Sequence, residues 1–211
     1  MPAKLPRFVV TAGPTREHLD PVRFLSNPST GKMGFAVAEA AARRGCETVL
    51  VAGPVALKTP AGVSRVDVVS AREMLAAVKA AAAGEGETVL VATAAVADWR
   101  PAKCAARKLK KRRMPDVLKL VRNPDILKTV KGVRKVGFAA ETGSPVEEAA
   151  RKCREKKLEF TVANDVLEKG AGFGCDTNKV MFVYPDGGVK DLPLMSKRSV
   201  ARRIVDEVLR A

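Results

Sequence analysis

Asn27, Ser29, Thr30 and the turn Gly31-Lys32-Met33-Gly34 lie together at the end of one long loop, Thr11 to Gly34 (TAGPTREHLDPVRFLSNPSTGKMG). A strand-like run, Phe8-Val9-Val10, precedes the loop, and an Ala-rich amphipathic helix, Phe35 to Arg44, follows it. Backbone N–H groups at such a helix start, with Ser29 and Thr30 near the cap, suit a phosphate or acyl anion. The plainer reading is that Ser29 or Thr30 only caps the helix. Asn27 carries an amide that both donates and accepts, as handling a reacting acyl group requires; an Asn-Pro pair is also a common turn former. Strand-to-helix connections in α/β units usually take about 2–6 residues, so a loop of this length reads as a ligand-binding loop.

Three other places carry candidate chemistry. Asp98 follows the fourth strand-like run, where a parallel sheet holds ligand groups, and could accept from a base amino group or a ribose hydroxyl, or cap a turn. The run Arg107–Arg113 suits a mobile cationic flap over a triphosphate, although most such runs are solvated faces or nucleic-acid arms. Lys152 and Lys156 share one helix face, where pairing of Lys152 with Glu148 is the plain alternative. Known phosphate loops do not fit. Ser26 stands where the first glycine of a Walker A loop belongs, and Met33 replaces its Ser/Thr. No G-x-G-x-x-G follows the first strand.

The elements that must position these residues are legible as alternation. Apolar runs recur at Arg7–Ala12, Thr48–Ala52, Val63–Val69, Thr88–Ala92, Lys135–Ala140 and Glu159–Ala163, with helical periodicity in most gaps. Ser70-Ala71-Arg72-Glu73 is a capping box opening a helix to about Ala83, and Ser144-Pro145-Val146-Glu147 is another. Asn123 reads as an N-cap before Pro124 and Asp125, and Gly45 ends the first helix. Near-continuous apolar strands alternating with helices predict a doubly wound, mostly parallel α/β sheet. Lys179–Tyr184, the turn Asp186-Gly187-Gly188 and a return to Leu192 predict a hairpin. Met195–Leu209 predicts a final helix. Pro101 to Arg122 interrupts the rhythm as a basic excursion with extended stretches.

The 211 residues, 46% of them hydrophobic, predict one globular domain with no need of staples. No apolar run approaches bilayer length, and no signal-peptide core precedes the first strand, so the expectation is a cytoplasmic protein without membrane contact. Cys46, Cys104, Cys153 and Cys175 are too dispersed for a metal pair, and His18 is the only histidine, so no protein metal site is expected. The net charge of +15 points to anionic partners, either nucleic acid or a small polyanion such as a nucleoside triphosphate. The basic run has no interleaved aromatics, which weakens a nucleic-acid-binding module. A Rossmann-type oxidoreductase needs a dinucleotide fingerprint, and an acid after the second strand where Gly53-Pro54-Val55 stands.

Eight segments in order carry a resemblance: TAGPT (Thr11–Thr15), DPVRFLSN (Asp20–Asn27), STGKMG (Ser29–Gly34), AAVADW (Ala94–Trp99), KLKK (Lys108–Lys111), NPDI (Asn123–Ile126), GFAAET (Gly137–Thr142) and VANDV (Val162–Val166). Together they resemble the phosphopantothenoylcysteine synthetase family, the synthetase half of the bifunctional coenzyme A biosynthesis flavoprotein, over nearly the whole chain. The resemblance implies a Rossmann-like domain with a flap and dimerisation excursion at about 100–122. It implies a ligase that activates 4′-phosphopantothenate with a nucleoside triphosphate (CTP favoured over ATP) and Mg²⁺, then joins it to L-cysteine. It implies a homodimer and no specific nucleic acid; the flavin-bearing decarboxylase half is absent from this sequence, which reads either as a stand-alone synthetase with a separate decarboxylase as partner or as an excised domain. Residue by residue, Asn27, Arg23 and Lys108 match catalytic positions, with Lys108 the flap lysine. Ala95, Asp98, Asn123, Pro124, Asp125, Ile126, Phe138, Lys152 and Lys156 match nucleotide contacts, and Gly13, Ser29, Thr30 and Gly31 are added as phosphate contacts. His18, Pro28 and Trp99 depart from residues common in the family, and none removes a proposed catalytic group.

Overall fold

Apolar strands with no polar face must be covered on both sides, and in this chain helices do so. The structure, a computed structural model, describes residues 5–113, 116–141, 146–165, 172 and 174–210. In chain order its elements are β1 (Arg7–Ala12), β2 (Arg16–His18), β3 (Phe24–Ser26), α1 (Lys32–Arg43), β4 (Thr48–Ala52), β5 (Val63–Asp67), α2 (Ala71–Ala82) and β6 (Thr88–Ala92). There follow β7 (Trp99–Pro101), a short 3-10 turn (Lys111–Arg113), β8 (Leu120–Arg122), α3 (Ile126–Thr129), β9 (Arg134–Glu141), α4 (Val146–Lys156) and β10 (Phe160–Asp165). The last elements are β11 (Thr177–Asn178), β12 (Met181–Val183), β13 (Val189–Asp191), β14 (Met195–Ser196) and α5 (Lys197–Arg210).

The main sheet runs β13-β12-β10-β9-β6-β1-β4-β5. The strands from β5 to β10 are mutually parallel, and β12 and β13 are added antiparallel at one edge. Numbered by chain position, the parallel strands stand 3-2-1-4-5-6, the doubly wound Rossmann order. Alternate residues of each strand face opposite layers. Phe8, Val10, Leu50, Val91 and Phe182 pack with α1 and α5 through Val37, Ala41 and Ile204. Val9, Val51 and Leu90 pack with Met74 and Val78 of α2 and with Ile126 and Val130 around α3. Ala139, Ala163 and Val183 lie under Ala149 and Ala150 of α4. Each fully buried Val or Leu here contributes about 1.5–3 kcal/mol relative to exposure.

The expected strands and the terminal hairpin and helix are present, with boundary shifts. The helix expected from Phe35 begins at Lys32, because Gly31 already turns the chain in the left-handed region at φ 77°. The N-cap expected at Asn123 is Asp125, whose carboxylate accepts from Lys128 N. Asn123 is occupied elsewhere: its amide donates to Ala97 O at 2.8 Å and its Oδ1 accepts from Arg100 at 3.1 Å. Ser70 caps α2 as expected, and Glu73 reaches back to accept from the Ser70 hydroxyl and from Val69 N. Ser144 and Pro145 of the second box, Thr142 and Val166 lie outside the described residues. The hairpin β2–β3 inside the long loop had no sequence signal that singled it out.

Candidate active site

The strand order reverses between β1 and β6, and ligands of doubly wound sheets sit beyond the carboxyl ends at that point. Here the loop after β1 is zipped to the loop after β6. Ala95 N donates to Gly13 O at 2.9 Å, Ala97 N to Thr15 Oγ1 at 3.0 Å and Ala94 N to Thr11 Oγ1 at 3.2 Å. Two cavities open on either side of this seam, and Ala94 and Phe138 line both.

The first cavity is built on the start of α1, with Ser29, Thr30 and Gly31 in its wall. The cap position is Gly31, which has no side chain to cap with, and Ser29 Oγ accepts from Gly31 N at 3.4 Å. The N–H groups of Lys32, Met33 and Gly34 therefore lack helical partners, and the positive end of the helix faces this cavity. Gly34 lets α1 sit hard against the sheet: a Cβ there would lie 2.5 Å from Ala12 Cβ and 2.9 Å from Thr11 O. Buried Asn164, Asn178 and Lys197 line the same cavity. Lys197 Nζ donates to Gly172 O at 2.8 Å, and burial pulls its ammonium pKa down. Lys32 is paired with Asp176 at 2.6 Å.

The second cavity, about 450 Å³, is lined by Asp98, Trp99, Arg122, the run Asn123 to Ile126, and Lys156. Lys156 Nζ lies 3.0 Å from Asp125. Burial pushes the Asp125 carboxyl up, but the Lys128 N–H and Lys156 outweigh it and hold the pKa below its ordinary value. Beneath this wall Lys135 donates to Leu127 O at 3.1 Å and to Lys156 O at 2.6 Å, binding the end of α3 to the end of α4. Lys152 is ion-paired with Glu148 at 3.4 Å and is not among the lining residues.

Asn27 stands at the seam. Its amide donates to Ala95 O at 3.2 Å and Val96 O at 3.4 Å, and Oδ1 has no protein partner among the described residues. The basic run Arg107–Arg113 reaches this region by its backbone. Buried Asp20 accepts from Val22 N (2.8 Å), Arg23 N (2.9 Å) and Leu109 N (3.1 Å), and pairs with Arg23 at 2.9 Å. Arg23 also donates to Leu109 O, so both backbone groups of Leu109 are gripped. Burial pushes the Asp20 carboxyl up; the three backbone N–H groups and the Arg23 guanidinium outweigh it and leave the pKa at about 2. Lys108, the neighbour of Leu109, is exposed and makes no hydrogen bond or ion pair with a described residue.

The family model for the DNA/pantothenate metabolism flavoprotein C-terminal domain matches residues 4–211. The chain belongs to this family. It is 46% identical over 210 residues to the Coenzyme A biosynthesis bifunctional protein CoaBC of Escherichia coli (strain K12), covering 96% of this chain and 51% of that protein. It is 44% identical over 205 residues to the CoaBC protein of Bacillus subtilis (strain 168), covering 95% and 50%. The chain thus spans about half the length of the curated relatives it matches. Among solved structures, the crystal structure of the C-terminal domain of CoaBC superposes with a TM-score of 0.80 at 42% identity, covering 96% of this chain and 93% of that one.

Within this flavoprotein C-terminal domain the fold gathers most of the expected residues: Asn27 with Ala95 at the seam, Ser29 to Gly31 in one cavity, and Asp98, Asn123 to Ile126 and Lys156 in the other, with Phe138 in both. Gly13 supports the seam through its carbonyl, and Arg23 grips the flap backbone. Sequence reasoning missed Lys197, Asn164, Asn178, Arg122 and the latch role of Asp20. Asp20, Trp99 and Asn164 lay inside recognised motifs; Asn178 and Lys197, far along the chain, carried no local pattern. Among the described residues no group of three or more His, Cys, Asp or Glu side chains is placed to hold a metal ion, and no helix is long and apolar enough to cross a membrane.

Proposed function

We propose that this domain is a phosphopantothenate–cysteine ligase that uses a nucleoside triphosphate, CTP in preference to ATP. In the first step a carboxylate oxygen of 4′-phosphopantothenate attacks the α-phosphorus. The bond to the bridging oxygen breaks, pyrophosphate leaves and an acyl-nucleotidylate remains. In the second step the L-cysteine amine attacks the acyl carbon, loses a proton, and the nucleoside monophosphate leaves with the bonding pair. Both steps need positioning and charge stabilisation more than protein acid–base groups.

The observation that carries this reading is the position of Asn27. Its amide is fixed on two carbonyls where the two cavities meet, with the amide oxygen uncommitted. An activated acyl group formed from a ligand in one cavity and a nucleotide in the other meets at such a seam. In this reading Asp98, Asn123, Pro124, Asp125, Ile126 and Phe138 hold the nucleoside. Lys156 and Lys152 serve the phosphates, and Lys108 is delivered by the flap that Arg23 and Asp20 anchor. Gly13, Ser29, Thr30 and Gly31 present the positive end of α1 to an anionic group. The donor set fits Mg²⁺ carried by the triphosphate, with Asp98 the cleft carboxylate that has no cation partner among the described residues. When bound, the ion would neutralise phosphate charge.

The relatives, about twice this length, are named bifunctional, and in this reading the product passes to a decarboxylase in the cytoplasm. Exposed Val22, Phe24, Val117 and Leu120 around the small ribbons support a homodimer. The test is pyrophosphate release with 4′-phosphopantothenate, Mg²⁺ and L-cysteine, comparing CTP with ATP. Release that requires phosphopantothenate is expected, faster with CTP. No release with either nucleotide sinks the ligase reading.

A further inference from the structure

Trp99 and Arg122 stand directly opposite each other on the antiparallel β7–β8 ribbon, with the guanidinium carbon 5.0 Å above the ring centre. Opposed residues of such a pair project to one face, and both line the second cavity. Trp99 remains 43% exposed there. The wall they form is tied to its surroundings. Arg100 donates to Arg122 O and to Asn123 Oδ1, and Asn123 N donates to Asp98 O at 2.8 Å. The ribbon, the start of the α3 loop and the end of the β6 loop are thereby one unit.

Charge separates the two cations of this cavity. Lys156 is neutralised by Asp125 at 3.0 Å. Arg122 has no ion-pair partner among the described residues. A cation–π contact with an indole places a guanidinium while leaving its N–H donors for other partners. Those donors form the fork that matches two phosphate oxygens, whereas a lysine offers only a point charge. A residue that merely stiffened the ribbon would not need to keep an uncompensated charge on the cavity wall.

We propose that Arg122, held over Trp99, binds phosphate oxygens of the nucleoside triphosphate. The assignment rests on the ligase reading and adds to it a residue beyond the basic run Arg107–Arg113 and the α4 lysines. Arg122 acts here as a direct ligand, so its loss is felt by phosphates and not by the base or by the second substrate.

Trp99 is the only tryptophan of the chain, so its emission reports on this wall alone. Wild type, Arg122→Gln and Arg122→Lys are titrated with CTP and with cytidine, and KM is measured for CTP and for phosphopantothenate. CTP is expected to change Trp99 emission in the wild type. Arg122→Gln is expected to raise Kd and KM for CTP by roughly 10- to 100-fold, the range for losing a charge-assisted hydrogen bond, and to leave cytidine binding and the phosphopantothenate KM within about twofold. Arg122→Lys is expected to fall between. Equal weakening of CTP and cytidine, or equal rises in both KM values, would make Arg122 a brace of the ribbon and overturn the proposal. Normal CTP affinity in Arg122→Gln, with the wild type turning over, overturns this assignment alone. A wild type that binds neither CTP nor ATP and releases no pyrophosphate brings down the ligase reading and the assignment together.

Discussion

Gly34 sits in the first turn of α1 and sets the distance between the helix end and the sheet. An alanine Cβ at 34 would lie 2.4 Å from Thr93 Oγ1, 2.5 Å from Ala12 Cβ and 2.9 Å from Thr11 O. The Thr93 hydroxyl is not free to swing away, because it donates to Thr11 O at 2.6 Å. The other two atoms belong to β1 and have no rotamer to change. Restoring ordinary contact at 3.4 Å therefore requires the helix end to lift by about 1 Å. Overpacking of this kind costs about 1–3 kcal/mol, and the better helix propensity of Ala returns about 1 kcal/mol. The net is about 0–2 kcal/mol, or a fall in Tm of no more than about 8 °C at this length. The kinetic effect is expected to be larger, since a displacement of about 1 Å in a positioning element lowers turnover by about 100-fold. Gly34→Ala should thus remain folded by circular dichroism, melt slightly earlier and release pyrophosphate about 100 times more slowly. Turnover within a few-fold of wild type in the folded variant would refute the argument that α1 is held to this tolerance for catalysis.

Other substitutions separate the remaining roles. Asn27→Asp is expected to release one equivalent of pyrophosphate at near the wild-type rate and to accumulate the acyl-nucleotidylate in a quench assay; product formation at the wild-type rate would remove Asn27 from the acyl-transfer step. Lys108→Gln is expected to depress kcat more than nucleotide affinity, and equal losses would make it an ordinary binding cation. The Asp20 carboxylate, held at about 2, contributes stability that is whole above about pH 4 and is lost as the pH falls through 2. The urea midpoint of wild type minus that of Asp20→Asn should shrink from pH 5 to pH 2, and a constant difference would show that the charge of Asp20 does not hold the latch.

Strands and core were legible because burial on both faces leaves runs such as Val89-Leu90-Val91 with no polar interruption, and tertiary context had nothing to override. Asn123 was misread as a cap for a local reason that the fold outvotes. Its amide is taken by Ala97 and Arg100, and the Asp125 carboxylate two residues on accepts from Lys128 N in its place. Asp98, Phe138 and Lys156 were legible through motifs, but their grouping was not, since it depends on the order of strands β1, β6, β9 and β10. Lys197 and Asn178 were illegible because a buried polar residue is recognised by what surrounds it. Those surroundings here come from the start of α5, β11 and α1, far apart in sequence.

The length of the loop between β1 and α1 follows from the number of places it must reach. Thr15 holds the β6 loop through Ala95 and Ala97. Glu17, buried, accepts from Ala71 N at the start of α2, at 2.9 Å. Leu19 O accepts from Ala105 N at 2.8 Å, and Asp20 with Arg23 grips Leu109, so the flap is anchored twice. Asn27 then returns to Ala95 and Val96 before Gly31 starts the helix. A two-residue connection would reach none of these. The hairpin β2–β3 is the fold-back that lets one segment touch α2 and the flap and still return to the seam. In the ligase reading proposed above, a loop that braces the basic excursion and carries Asn27 couples the position of that excursion to the reacting centre through covalent chain. Loosening Asp20 or Arg23 should therefore disturb Asn27-dependent chemistry as well as the delivery of Lys108.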